Sequence, residues 1–438
     1  MAEKFSRERY EEEVRALFLR FPSVQNVPFN EAYKPGLGHM LSFCEILGHP
    51  EREFRAVHVA GTNGKGSVSN MLAAAISAHG NPTGLFTSPH ILDFRERMRI
   101  SDGTAPARLI PEEYVYAFIL KYKKDFEALS LSFFEITTGM AFRWFADMGC
   151  THAVIEVGLG GRLDSTNVLT PELSVITSIG LDHCDMLGHT LAAIAGEKAG
   201  IIKKGVPVVI GESNSETRPV FVAAAEKCGS RIVFAEETEP SLWKDAAGME
   251  EAMDLHGLYQ RKNLRTAAAA LDVLGLADRV SEDAMEHTAE RMGFHGRWEK
   301  LSDKPLVICD IGHNAHALKN NFAQLEEMMA SGRYDSLTIV YSVMADKDFD
   351  SIMPLMPREA VWHFAAPSTR RAMPAEQIRD RYAGWLASRG ESAAGLQVYA
   401  SVREAVEDAL RKVSDRGLIY IGGSTFAVSE ALPVFIRP

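Results

Sequence analysis

Between a β-branched run and an alanine-rich helical pattern, the stretch AGTNGKGSV at 60–68 gathers three glycines and a lysine. Gly61, Gly64 and Gly66 let backbone N–H groups approach an anion, the dipole of the following helix attracts negative charge, and Lys65 can reach terminal phosphates. A seat for nucleotide phosphates is the chemistry this composition suits. The usual phosphate loop places Ser or Thr directly after the lysine, where its hydroxyl ligates Mg²⁺. Here Gly66 fills that place and Ser67 follows. A glycine-rich turn with an incidental lysine is the alternative, and the Gly-Lys-Gly-Ser order between strand and helix makes it the weaker one.

Other oxygen and nitrogen donors stand at the ends of later β-rich runs. Ser88 in TSPH can supply the missing hydroxyl, or serve an ST turn before Pro89. Glu156 closes the run AVIE, where a buried carboxylate needs a cation, Arg162 or backbone amides as partner. Asp182, His183 and Asp185 follow the run LSVITSIG, and imidazole beside carboxylates suits a divalent ion as well as a satisfied core histidine. Glu197 and Lys198 share a small-residue helix pattern, AGEKAGI. A desolvated Lys198 would favour the neutral amine, which reacts with CO₂ to give an anionic carbamate ligand; a surface ion pair is the simpler reading of the residues alone.

Positioning such groups at one edge calls for an open α/β sheet, whose functional residues collect at the carboxyl ends of parallel strands. The sequence supplies it: RAVHVA, GLFTS, THAVIEVG, LSVITSIG and VPVVIG are short apolar runs separated mostly by helical segments, as a sheet covered on both faces requires. PLVICDIG, SLTIVYSV, AVWHFAA and GLIYIGG repeat the alternation after the polar stretch HGRWEKLSDK at 295–304. A hinge is expected there, dividing a nucleotide-binding domain, 1–296, from a smaller Rossmann-like α/β domain, 297–438.

The 438 residues, 46% hydrophobic and 24% charged, describe a globular chain with more than one core. A formal charge of −11 argues against an extended nucleic-acid partner. No apolar run suits a bilayer, and the charged amphipathic start MAEKFSRERYEEEVRALF does not read as a signal peptide, so a cytoplasmic protein is expected. Cys44, Cys150, Cys184, Cys228 and Cys309 lack any CxxC pairing and predict reduced, mostly buried thiols. Any metal must then be held by oxygen and imidazole, which favours Mg²⁺ or Mn²⁺.

GTNGKGS, TSPH, SFFE, EVGLGGRLDSTN, TSIGLDH, GEKAGI, HGRWE and DIGHN occur in an order and spacing that resemble the folylpolyglutamate synthases and the bifunctional dihydrofolate synthases of the Mur ligase superfamily, over about residues 30–430. The resemblance implies an ATP-dependent amide ligase with a P-loop sheet domain and a C-terminal glutamate-ligase domain. It implies that Asn63, Gly64, Lys65, Gly66 and Ser67 cradle ATP phosphates, and that Asn263, Arg297 and Asp310 contact the nucleotide. Ser88 and Glu156 would ligate one Mg²⁺ and His183 a second, with Lys198 carbamylated as a further ligand and K⁺ as an additional candidate ion. Ser88 would thus replace the hydroxyl that the loop lacks. Gly36 and Leu37 in YKPGLGH, Phe133 and Phe134 in SFFE, and Leu163 would meet a pterin, although the two phenylalanines also fit a helix start in the core. Arg95 and Arg97 are read as a solvated charged face in preference to a carboxylate site.

The motif DIGHNAH departs from the family pattern at Gly312 and Ala315, where alanine and proline are usual, while Asp310 and His313 remain; His313 is expected at the acyl-phosphate and amino-acid site. The implied reaction phosphorylates a carboxylate and then aminates it with glutamate, giving ADP and phosphate, on dihydropteroate and on reduced folates. Folylpolyglutamate synthesis alone, a Mur ligase acting on a UDP-sugar, and a P-loop switch are the rivals. No UDP-binding N-terminal domain and no NKxD stretch is recognisable. Small-molecule substrates and a monomer are expected.

Overall fold

The structure, a computed structural model, describes residues 5–21, 36–104, 106–239, 241–242, 248 and 251–436. Its contacts gather into two compact units, one of Met1–Asp254 with Gln260–Phe294 and one of Leu255–Tyr259 with His295–Pro438.

The first unit is built on an eight-stranded sheet. Its strands are β1 (Arg55–Ala60), β2 (Thr83–Phe86), β3 (Met98–Ser101), β4 (Arg108–Leu109), β5 (His152–Glu156), β6 (Leu173–Ile176), β7 (Val208–Ile210) and β8 (Ile232–Phe234). They lie in the order β4-β3-β2-β5-β1-β6-β7-β8. All neighbours are parallel except those made by β3, which pairs antiparallel with β2 and β4. The central strands are buried almost throughout, as parallel strands covered on both faces are. The helices Lys65–Ala78 and Phe133–Asp147 illustrate how they are started. The first is entered through Gly64 in the left-handed region. The second carries a capping box, in which the Ser132 side chain accepts from Glu135 N and the Glu135 carboxylate accepts from Ser132 N.

Register brings the candidate chemistry to one edge. Val59 pairs with Glu156, Phe86 with Ile155, and Ala60 with Ile176. The carboxyl ends of β2, β5, β1 and β6 are therefore adjacent, and the segments carrying Ser88, Glu156, Asn63–Ser67 and His183 leave from neighbouring points.

The second unit has six strands: β9 (Glu299–Asp303), β10 (Leu306–Asp310), β11 (Leu337–Tyr341), β12 (Val361–Ala365), β13 (Leu396–Tyr399) and β14 (Leu418–Gly422). Their order is β13-β12-β11-β14-β10-β9, with β9 the one antiparallel member. Trp362, Tyr341, Tyr382 and Tyr420 fill its core.

Two sequence expectations are corrected. HGRWEKLSDK is not all connector, because Glu299–Asp303 pairs with β10 as an edge strand. Its charges disguise it, and edge strands tolerate charge because one side faces water. Arg97 is not on a solvated face. It is 3% exposed, between the turn Phe94–Arg97 and β3. Arg95 is only partly exposed and makes a short ion pair with Asp93 at 2.7 Å. The expected N-terminal helix is present over Arg7–Arg20. Cys44, Cys150 and Cys309 are buried, and all five thiols are free. Among the described residues no helix is long and apolar enough to cross a membrane.

Candidate active site

The loop between β1 and the helix Lys65–Ala78 is latched to the end of β6. Thr62 N donates to Ser178 O, the Thr177 hydroxyl donates to Asn63 O at 2.6 Å, and Ser178 Oγ donates to the same carbonyl at 3.1 Å. Gly61 has φ +153, and a Cβ there would stand 1.8 Å from Thr177 Oγ1; Gly64 has φ +86, and its Cβ would stand 2.2 Å from Asn263 Oδ1. Both positions require glycine for backbone conformation and for space. Asn263 is 7% exposed on the helix Gln260–Leu274, which packs on the loop's own helix. No side chain caps the first turn at Gly64. The N–H groups of Lys65, Gly66 and Ser67 precede the first intrahelical bond, from Val68 N to Gly64 O, the arrangement with which helix starts can bind anions. Ser67 is fully buried, and its hydroxyl has no hydrogen-bond partner among the described residues.

Two lysines converge on one carbonyl of this loop. Lys65 Nζ donates to Gly61 O at 3.1 Å and to Thr62 O at 3.3 Å, and Lys198 Nζ donates to Gly61 O at 2.9 Å. Lys198 is 4% exposed, which removes the surface-ion-pair reading of it. Burial lowers its ammonium to about 7, the nearby Lys65 charge adds to the fall, and Asp182 and Asp164 oppose it. Glu197, its neighbour, instead pairs with Arg162 at 2.9 Å.

A polar chain invisible in the sequence lies behind the lysine. Asp164 is buried, accepts from Thr166 N and Oγ1 and from Leu159 N, and has its carboxyl raised by burial against those bonds. The Thr166 hydroxyl also meets His58 Nε2 at 2.8 Å, with His58 held neutral by burial. Leu163, half-buried, occupies the same turn.

Glu156 ends β5 at 3% exposure, and its Oε2 accepts from Ser88 N at 3.4 Å. Ser88 and Glu156 are thus brought together as the sequence suggested. Phe133 is 2% exposed and stacks on Phe18 with ring centroids 4.5 Å apart, so it belongs to the core. Phe134 is half-buried, 5.6 Å from the Phe86 ring. Leu37 is half-buried and Gly36 exposed at the start of the helix Gly38–Ile46; Tyr33 to Pro35 of the same motif lie outside the described residues.

His183 takes a left-handed conformation with φ 52 and its N–H bonds Asp182 Oδ1 at 3.0 Å. Its Nε2 lies 3.9 Å from the same oxygen, and Asp185 is exposed. Hydroxyl, carboxylate and imidazole are donors that a hard divalent cation accepts. Three or more His, Cys, Asp or Glu ligand atoms meet once among the described residues, at Asp283, Glu286 and His287. Glu156 and His183 would therefore need Ser88, a modified Lys198 or substrate oxygens to complete a shell.

In the second unit Asp310 ends β10 at 3% exposure. Its Oδ2 accepts from Tyr259 Oη at 2.6 Å and Trp298 N at 2.9 Å, and its Oδ1 from Gly312 N at 2.7 Å and Asn321 Nδ2 at 2.8 Å. Both oxygens are thereby fully engaged, and the carboxylate acts as a structural hub. Arg297 is half-buried, with Nη1 on Gly296 O at 3.3 Å, and His313 Nδ1 lies 3.0 Å from Ile311 O.

Sequence reasoning missed the Thr177–Ser178 latch and the Asp164–Thr166–His58 chain. The signal for the latch was present, since two hydroxyl residues directly follow an apolar run at the functional edge. Nothing in the sequence could pair His58 with Thr166, 108 positions away.

Comparison with known proteins places this geometry. Residues 296–425 match the family described as Mur ligase, glutamate ligase domain. The chain is similar to a dihydrofolate synthase/folylpolyglutamate synthase of Bacillus subtilis (strain 168), 35% identical over 371 residues, covering 79% of this chain and 84% of the relative. Among solved structures it is similar to Escherichia coli FolC in complex with DHPP and ADP, with TM-score 0.76, 26% identity, and coverage of 92% of this chain and 94% of that one. A bifunctional folylpolyglutamate synthase/dihydrofolate synthase with Mn, AMPPNP and L-glutamate bound gives TM-score 0.74, 26% identity, and the same coverage, 92% and 94%.

Proposed function

Because the chain belongs to the folylpolyglutamate synthase/dihydrofolate synthase family of the Mur ligase superfamily, we propose that it uses ATP to join L-glutamate to dihydropteroate and to extend reduced folates, releasing ADP and phosphate. The observation that carries the reading is the meeting of Lys65 and the buried Lys198 on the Gly61 carbonyl, at a helix start that no side chain caps. Lys65 is the cation that a polyphosphate would draw from that carbonyl, and its charge beside the buried Lys198 helps to keep that amine neutral.

In this reading Asn63, Gly64, Lys65, Gly66 and Ser67 receive the phosphates, with Asn263 beside them. Lys65 exchanges its loop carbonyls for phosphate oxygens. The γ-phosphoryl group passes to the substrate carboxylate, since direct amide formation from a carboxylate lacks an adequate leaving group. Attack by the glutamate amine on the acyl phosphate then expels phosphate. Ser88 and Glu156 are proposed to hold one Mg²⁺ and His183 a second, with Mn²⁺ and K⁺ as further ions to test. When bound, the divalent ions would neutralise charge on the transferring phosphoryl group. Lys198 is proposed to be carbamylated: its amine is buried and near-neutral, as reaction with CO₂ requires. The half-buried Phe134, with Leu37, Gly36 and Leu163, is proposed to meet the pterin, and Phe133 to support that wall from the core. Arg297 and His313 are proposed to serve the nucleotide and amino acid, with Asp310 ordering the turn between them.

The test is ADP release with dihydropteroate or tetrahydrofolate, each with and without L-glutamate. The expected result is release that requires both acid and glutamate, with one phosphate per ADP. Glutamate-independent release would favour a nucleotide switch, activity only with a UDP-muramoyl acid would favour a cell-wall ligase, and AMP with pyrophosphate would exclude an acyl phosphate.

A further inference from the structure

We propose that Arg97 is a substrate-binding residue, holding the carboxylate that the enzyme activates, and that His90 positions it. The proposal rests on the folate-ligase reading above and names a residue that recognises the acid.

Four observations support it. Arg97 is 3% exposed, and its guanidinium lies 5.1 Å from the Phe133 ring centroid. Its Nε donates to His90 Nδ1 at 2.9 Å, the one side-chain hydrogen bond found for it among the described residues. Guanidinium has five N–H donors in a planar fork, so the remaining ones call for acceptors. Arg99, its neighbour on β3, has an Nε sealed from solvent with no partner among the described residues, whereas no Arg97 nitrogen is both sealed and unpartnered in that way. Finally, His90, to which Arg97 is bonded, follows Ser88 by two residues, and Ser88 N donates to Glu156 Oε2, which ties Arg97 to the strand ends.

The surrounding chemistry agrees. Burial lowers the guanidinium to about 10, which leaves it cationic at neutral pH. Arg97 Nε can only donate, so His90 Nδ1 is the acceptor of their bond. Glu96, next to Arg97 in the chain, is occupied in accepting from the N–H groups of Ile91, Leu92 and Asp93. A planar carboxylate is the acceptor that a buried fork matches with two parallel bonds. The Phe133 ring packs against the guanidinium and limits where it can move.

The experiment compares binding of dihydropteroate with that of its methyl ester, by calorimetry on the full chain without nucleotide. The wild type should bind the acid about tenfold to a hundredfold more tightly than the ester, the range expected for a charge-assisted pair. Arg97→Gln should bring that ratio to about one, chiefly by weakening the acid, and should leave the thermal shift produced by ATP with Mg²⁺ unchanged. A purely structural role would weaken acid and ester alike, so an unchanged ratio in Arg97→Gln overturns the proposal. Should that variant not fold, Arg97→Lys keeps stem and charge but not the fork. It should lose about tenfold of the discrimination, and full retention overturns the proposal equally. If the wild type neither binds dihydropteroate nor releases ADP with it, the folate-ligase reading fails; if it binds and turns over the acid yet binds acid and ester alike, the proposal alone is overturned.

Discussion

Lys198 is the residue whose surroundings most constrain the chemistry. Carbamylation requires the neutral amine, and burial beside Lys65 supplies it near pH 7. Replacement by alanine should abolish most turnover, with partial rescue by added short-chain carboxylates that stand in for the carbamate; wild-type rates without additive would remove the carbamate from the account. The same burial has a stability consequence. The folded-state value of about 7 lies below the ordinary 10.5, so between them the unfolded chain binds a proton that the folded chain lacks. Stability in CO₂-free buffer should therefore rise with pH through that window, by at most ~1.4 kcal/mol per pH unit, and Lys198→Met should lack that rise in denaturant titrations. Lys65 is different, being half-buried and, among the described residues, bonded to carbonyls of its own loop. Lys65→Ala should fold with little change in melting temperature yet turn over negligibly, and the two readouts together separate binding chemistry from structure.

At the scale of elements, the site is a set of adjacent strand ends joined by a latch. Gly61→Ala places a methyl group against Thr177, whose hydroxyl and backbone hold Asn63 and Thr62 in place. The loop should give way, with a loss of about 1–3 kcal/mol in chemical denaturation and a larger loss of nucleotide affinity in calorimetry. Much of this level was legible beforehand. Continuous apolar runs such as AVIE and LSVI marked β5 and β6 because parallel central strands are buried on both faces. The strands that escaped notice, β3, β4, β8, β9 and β13, are short or flank the sheets, where polar residues break the pattern. Arg97 escaped for the same reason, since RERMRI reads as surface charge until the fold buries two of its arginines. The phosphate loop was legible because glycine, lysine and helix start are consecutive. The Asp164–Thr166–His58 chain was not, because long-range side-chain pairing leaves no trace in spacing.

At the scale of the whole molecule, the segment Leu255–Tyr259 belongs with the second unit although the chain returns to the first at Gln260. Asp310 explains why that segment stays, by accepting from Tyr259 and Trp298 together. Asp310→Ala would leave several buried donors unsatisfied, at a cost of about 3 kcal/mol or more. It should lower the melting temperature as well as turnover, whereas a residue that only touched nucleotide would lower turnover alone. The central claim for the molecule is that a carboxylate is phosphorylated before the amine attacks. The most direct test supplies the pteroate or folate acid with a heavy-oxygen label in its carboxyl group, together with ATP and glutamate, and examines the released phosphate by mass spectrometry. An acyl phosphate predicts one labelled oxygen in each phosphate formed; unlabelled phosphate alongside normal amide product would contradict the account.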